Sequence, residues 1–107
     1  MKVNLIPKPP RELYPTDILF QTTYWGTVKS LLGWTPYAFE IDSWGPRRDV
    51  LVIVKPLGPD TLTAFVPKGP ELAPNPDEYG PFLEALSESL AMRLEVEVAF
   101  IRYDLPW

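Results

Sequence analysis

Residues 36–67, PYAFEIDSWGPRRDVLVIVKPLGPDTLTAFVP, contain three strand-like runs separated by two turn-forming clusters. In 36–43, Tyr37, Phe39 and Ile41 alternate with Ala38, Glu40 and Asp42, the period of a strand with one wet face. Residues 50–54, VLVIV, are β-branched or leucine throughout, which predicts a central strand covered on both faces. Residues 61–67, TLTAFVP, form the third run. WGPRRD (44–49) and LGPD (57–60) are links too short for a crossover, so the three strands are expected to form an antiparallel meander.

Working outward toward the C-terminus, the proline-rich loop 68–80 leads to a helix with Pro81 near its first position. Phe82, Leu83, Leu86, Leu90 and Leu94 share one face of that helix, while Glu84, Glu88 and Ala91 lie opposite. The stretch 96–104, VEVAFIRYD, reads as a last strand. With the strand at 61–67 and the helix it makes a β-α-β unit, long enough for a parallel pair. A strand apolar on both faces needs cover, and here the sequence stops at DLPW. The expectation is therefore an N-terminal portion of a larger domain, completed by a further segment or by self-association.

Working toward the N-terminus, QTTYWGTVKSLLGW (21–34) belongs to a helix expected from the N-cap Thr16 to about Leu32, ending at Gly33. On a helical wheel, Phe20, Tyr24, Trp25, Val28, Leu31 and Leu32 make the apolar stripe. Lys29 sits just past its edge, with Trp25 on one side and Thr22, Gly26 and Gly33 on the other. Such a lysine is either a rim residue laying its stem over the core or a ligand contact. Gly26 is open to the same two readings, close packing of a neighbouring element or room for a ligand. Residues 3–6 are a short strand or an ordered arm, and 1–15 as a whole is read as an arm and stiff loop preceding a domain over 16–107. The fold class is thus mixed α/β, in the order (β)-α-β-β-β-α-β.

Composition narrows the chemistry. The 107 residues include no cysteine and no histidine, which removes disulfides, thiolate and Ser-His-Asp catalysis and the usual zinc ligands. No metal site is expected from the carboxylates: Asp77, Glu78, Glu84 and Glu88 suit a helix start and a solvated face. The net charge of −4 makes non-specific nucleic-acid binding a poor default, so any anion site must be local. No run is long and apolar enough for a transmembrane span, and the proline-rich start does not suit a signal peptide. The expected location is the cytoplasm, with the inner face of the plasma membrane as a working site. Two more cations fall where ligands bind in open α/β sheets. Lys68 ends a strand beside Gly69, and Arg102 lies near the end of the last strand. If those strands are parallel neighbours, both reach the same carboxyl edge. Lys29, Lys68 and Arg102 could then clamp a diphosphate. The plainer alternatives are a solvated turn for Lys68 and a pair with Asp104 or Glu40 for Arg102.

The pattern Q-x-x-x-W-x-x-V-K at Gln21, Trp25, Val28 and Lys29, then LVIVKPL (51–57), the Lys-Gly-Pro at 68–70 and the Arg-x-Asp at 102–104 within VAFIRYDLPW follow one another in an order that resembles the Fem family. These are non-ribosomal peptidyltransferases of cell-wall synthesis, which build the interpeptide bridges of peptidoglycan. The resemblance covers nearly all the chain from Thr16 onward. It implies an acyl-CoA N-acyltransferase-like domain, of which this chain would be the first half. It implies transfer of an amino acid from aminoacyl-tRNA, the co-substrate, to the stem peptide of lipid II or UDP-MurNAc-pentapeptide, with no cofactor. It also implies that Lys29 meets the precursor diphosphate, with Trp25, Gly26, Lys68, Gly69 and Arg102 around the substrate. Family enzymes are several hundred residues long, so tRNA contacts are expected of the rest of such an enzyme. No position carries over as a catalytic residue, and this chain alone is expected to be inactive. Two other classes stay open: a small-molecule N-acyltransferase using acyl-CoA, and a binding or assembly module without chemistry.

Overall fold

A computed structural model describes residues 1–42 and 48–107. The expected turn at 44–49 lies mostly outside the described residues; Arg48 and Asp49 already belong to a strand. The elements run β1 (Leu5–Lys8), α1 (Thr23–Leu31), β2 (Thr35–Ile41), β3 (Arg48–Gly58), β4 (Thr61–Val66), α2 (Tyr79–Arg93) and β5 (Ile101–Tyr103). Among the described residues they make one mixed five-stranded sheet in the spatial order β1-β2-β3-β4-β5. The first four strands form an antiparallel meander, and β5 pairs parallel to β4 through Ala64–Ile101, Phe65–Arg102 and Val66–Tyr103. No described helix is long and apolar enough to cross a membrane. The opening residues are integral to the sheet: β1 pairs with β2, and Val3, Leu5 and Leu13 are buried.

The alternation along each strand sorts the core into two layers. Phe39, Ile41, Val50, Val52, Val54, Ala64 and Val66 face one way, and α2 covers them with Phe82, Ala85, Leu86 and Leu90. Phe82, Leu86 and Leu90 are fully buried, as the leucine stripe predicts. Each such side chain contributes about 1.5–3 kcal/mol through loss of apolar surface from water. Ile101 and Tyr103 of β5 pack onto this layer as well. On the other face, Leu13, Ala38, Leu51 and Ile53 form a smaller cluster closed by Trp25 and Trp34. The central strand is therefore covered on both sides over residues 50–54, which is why that run of β3 is uniformly apolar.

The first helix differs from expectation in both its start and its orientation. A 3-10 turn spans Leu19–Gln21, and α1 begins only at Thr23, capped by the Thr22 hydroxyl, which accepts from the Trp25 N–H. Thr16 does not cap it. Its hydroxyl accepts from the Ile18 N–H and donates to Glu71, holding a local turn in place of a helix start. The apolar stripe of the wheel is also not the buried face. Tyr24, Leu31 and Leu32 are exposed, and Gly26 is the one buried residue of α1. The helix rests on the sheet through Gly26, where a Cβ would stand 3.5 Å from the Pro36 Cβ and 3.6 Å from Leu51. Close approach of helix to sheet, rather than the count of apolar side chains, sets the rotation of α1.

Candidate functional site

At one end of the sheet the β3–β4 ladder stops, and a side chain takes its place. The last pairs run Val54–Ala64 and Ile53–Phe65, and the same register would set Val52 against Val66 and then Leu51 against Pro67. Proline has no N–H to offer the Leu51 carbonyl. Gln21 fills the gap. Its Nε2 donates to the Leu51 carbonyl at 3.2 Å and the Pro67 carbonyl at 2.7 Å, and its Oε1 accepts from the Leu51 N–H at 2.8 Å. The buried amide thus stands in for a peptide unit and fixes the segment leading into α1 against the sheet. Gly69 is part of the same arrangement, since a Cβ there would lie 2.7 Å from the Gln21 amide. The absence of a side chain at 69 makes room for Gln21.

The other end of α1 is fixed by backbone geometry. Gly33 has φ +85°, its N–H donates to the Ser30 carbonyl, and the Trp34 N–H donates to the Lys29 carbonyl. This pair of bonds is a Schellman motif, whose last residue folds back toward the third-from-last helical residue. Those two residues are Trp34 and Lys29, and the Lys29 ammonium lies 4.6 Å from the Trp34 ring centroid. It lies 4.6 Å from Trp25 as well, four residues back on the same helix. Trp25 in turn meets Phe20 edge to face at 4.6 Å.

Beneath these rings, Pro36, Ile53, Phe65 and Arg102 follow one another in register across β2, β3, β4 and β5. Ile53 and Phe65 of this row join the rings around a cavity of about 250 Å³, lined by Phe20, Trp25, Lys29, Trp34, Ile53, Lys55, Phe65, Pro67 and Asp104. Lys55 also approaches it, 5.0 Å from the Trp34 centroid and 6.0 Å from that of Phe65. A lysine over an aromatic face is attracted by the ring quadrupole, by about 0.5–1 kcal/mol where exposed and more where desolvated. Among the described residues neither Lys29 nor Lys55 has a carboxylate at ion-pairing distance.

The residues singled out from sequence are only partly gathered here. Lys29 and Trp25 line the cavity. Gly26 faces the sheet instead, against Pro36 and Leu51. Lys68 and Asp104 stand at the shared carboxyl edge of β4 and β5 and pair with each other at 3.3 Å, both partly exposed. Asp104 reaches the cavity wall, so Lys68 neutralises the one acidic group there. Lys68 itself adopts φ 50°, an uncommon conformation for a residue other than glycine. The Arg102 guanidinium stacks 5.5 Å from the Phe65 centroid and is exposed. Sequence reasoning missed Lys55, Trp34, Phe65 and the bracing role of Gln21. The usable signal for Gln21 was Pro67, which ends the strand opposite Leu51 with no donor.

The cavity therefore offers an aromatic floor, two ammonium groups, and no cysteine, histidine or described acidic cluster able to hold a metal. Such a lining suits recognition of an anion attached to an apolar or planar body. No known protein family, no curated protein and no solved structure matches this chain.

Proposed function

We propose that this chain is the precursor-binding portion of a Fem-like aminoacyltransferase of peptidoglycan synthesis. In that reaction the stem-peptide amine of the precursor attacks the ester carbonyl of aminoacyl-tRNA, an amide bond forms, and the tRNA hydroxyl leaves. The role of this chain is to hold the precursor, either lipid II or UDP-MurNAc-pentapeptide, through its diphosphate. The observation that carries the reading is Lys29, held between Trp25 and Trp34 at the cavity rim with no described carboxylate partner. Its ammonium is available for an anion and pre-positioned, which lowers the ordering cost of binding.

The element order and the passage from an antiparallel meander to a parallel pair support the reading, since both suit the first half of an acyl-CoA N-acyltransferase-like domain. Lys68 and Arg102 flank the carboxyl edge, where they would meet the precursor beyond the diphosphate. Transfer of the donor and its recognition belong to the rest of such an enzyme, working in the cytoplasm or at the inner face of the plasma membrane.

The test is titration of UDP-MurNAc-pentapeptide into the protein, followed by the fluorescence of Trp25 and Trp34. A saturable change is expected, weakened by salt because the contact is charged. No change up to millimolar precursor would refute the proposal.

A further inference from the structure

The cavity contains a second cation that no sequence motif marks. We propose that Lys55 is a second anion ligand, forming with Lys29 a two-ammonium clamp that selects a group carrying two negative charges, a diphosphate, over a monoanion. The inference rests on reading this cavity as an anion site and adds the residue that sets its charge requirement.

Both ammoniums lie within 5.0 Å of the centroid of a single ring, Trp34. They are therefore within roughly one Debye length, about 10 Å, of one another. Two like charges so placed repel, and among the described residues neither is offset by a carboxylate. The one acidic group in the lining, Asp104, is already paired with Lys68. The lining is thus left with two positive charges facing a shared space. An anion bridging them would remove the repulsion, and a dianion would do so more completely than a monoanion. Lys55 is also well anchored for this task. It extends from β3 on the same face as Leu51 and Ile53, beside Phe65 of the neighbouring strand, so the sheet fixes where its stem begins. Lys29 comes from the opposite wall, on α1. A ligand held by both would be gripped between helix and sheet, with its apolar part against Trp25, Trp34 and Phe65.

The experiment uses the whole chain and inorganic pyrophosphate as the probe, with phosphate and acetate beside it, read by isothermal titration and tryptophan fluorescence. Wild type is expected to bind pyrophosphate more tightly than phosphate, and acetate least. Lys55→Met and Lys29→Met should each weaken pyrophosphate binding by roughly ten- to a hundredfold, the range for a hydrogen bond to a charged group. Lys55→Arg should retain most of the affinity, and thermal melts should show all variants folded. Pyrophosphate affinity unchanged in folded Lys55→Met would overturn the clamp while leaving Lys29 and the proposed function standing. Binding of precursor without any binding of pyrophosphate would also overturn it. Pyrophosphate held by both lysines, with no binding of the peptidoglycan precursor, would uphold the clamp and reject the proposed function.

Discussion

Replacing Gln21 with leucine keeps the side chain close to its original volume and removes its hydrogen-bonding groups. Gln21 is 5% exposed, and its amide satisfies the Leu51 N–H, the Leu51 carbonyl and the Pro67 carbonyl. Pro67 cannot rescue Leu51 by continuing the ladder, because it has no N–H. Each buried backbone group left without a partner costs about 1–3 kcal/mol. Partial relaxation and entry of a water would recover some of this, so Gln21→Leu should destabilise the protein by about 3–5 kcal/mol. That is a large share of the 5–15 kcal/mol typical of a domain. Gln21→Glu supplies an informative contrast. A carboxylate could still accept from the Leu51 N–H, but it would face two carbonyls without a proton to donate. Burial and those carbonyls raise its folded-state pKa, so this variant should lose stability as pH rises above the ordinary glutamate range. Urea unfolding of the three proteins, at two pH values for Gln21→Glu, measures both effects. A Gln21→Leu penalty below about 1 kcal/mol would refute the claim that this amide replaces a missing strand pair.

Gly33→Ala tests the turn that carries Trp34. No atom lies within 4 Å of the added Cβ, so the effect arises from φ +85° alone and should cost about 1–2 kcal/mol, with altered tryptophan fluorescence as Trp34 shifts from Lys29. Tyr103 has its pKa raised by burial, partly opposed by its hydrogen bond to Ser87. A tyrosine whose folded pKa exceeds its unfolded value stabilises fully below that unfolded value, about 10, and loses the contribution as pH rises through the folded pKa. Tyr103→Phe should therefore flatten the alkaline fall in stability above about pH 10, measured by denaturant melts across that range.

The sheet was readable because its determinants are local. Alternation in 36–43, the uninterrupted apolar run at 50–54 and the short links each prescribe one arrangement, and the leucine stripe of α2 names the residues that cover it. The first helix was harder for a physical reason. Its wheel favours burying Tyr24, Leu31 and Leu32, but the sheet below accepts only the smallest surface of α1, at Gly26. Competition between apolar area and close approach is settled by the partner surface, which no helical wheel contains. The site divides along the same line. Lys29 and Trp25 lie four residues apart on one helix and could be paired from sequence. Lys68 and Arg102 could be brought to one edge once β4 and β5 were taken as parallel, although Asp104 there pairs with Lys68 and not with Arg102. Lys55 could not, because its place beside Trp34 depends on the Schellman turn at Gly33 and on the β3–β4 register acting together.

Under the proposed function Lys29 meets an anion and does not simply cover the core rim. Lys29→Met keeps an unbranched apolar side chain but gives up the attraction of the ammonium to Trp25 and Trp34, so a purely structural lysine would lose about 0.5–2 kcal/mol of stability, with no effect on ligand. The decisive measurement is calorimetric titration of UDP-MurNAc-pentapeptide against wild type and Lys29→Met at low and high salt, with thermal melts of both proteins. Anion binding by Lys29 would give intact folding and a loss of about 1.5–3 kcal/mol in precursor binding, shrinking as salt rises. Equal affinities in two folded proteins would contradict it.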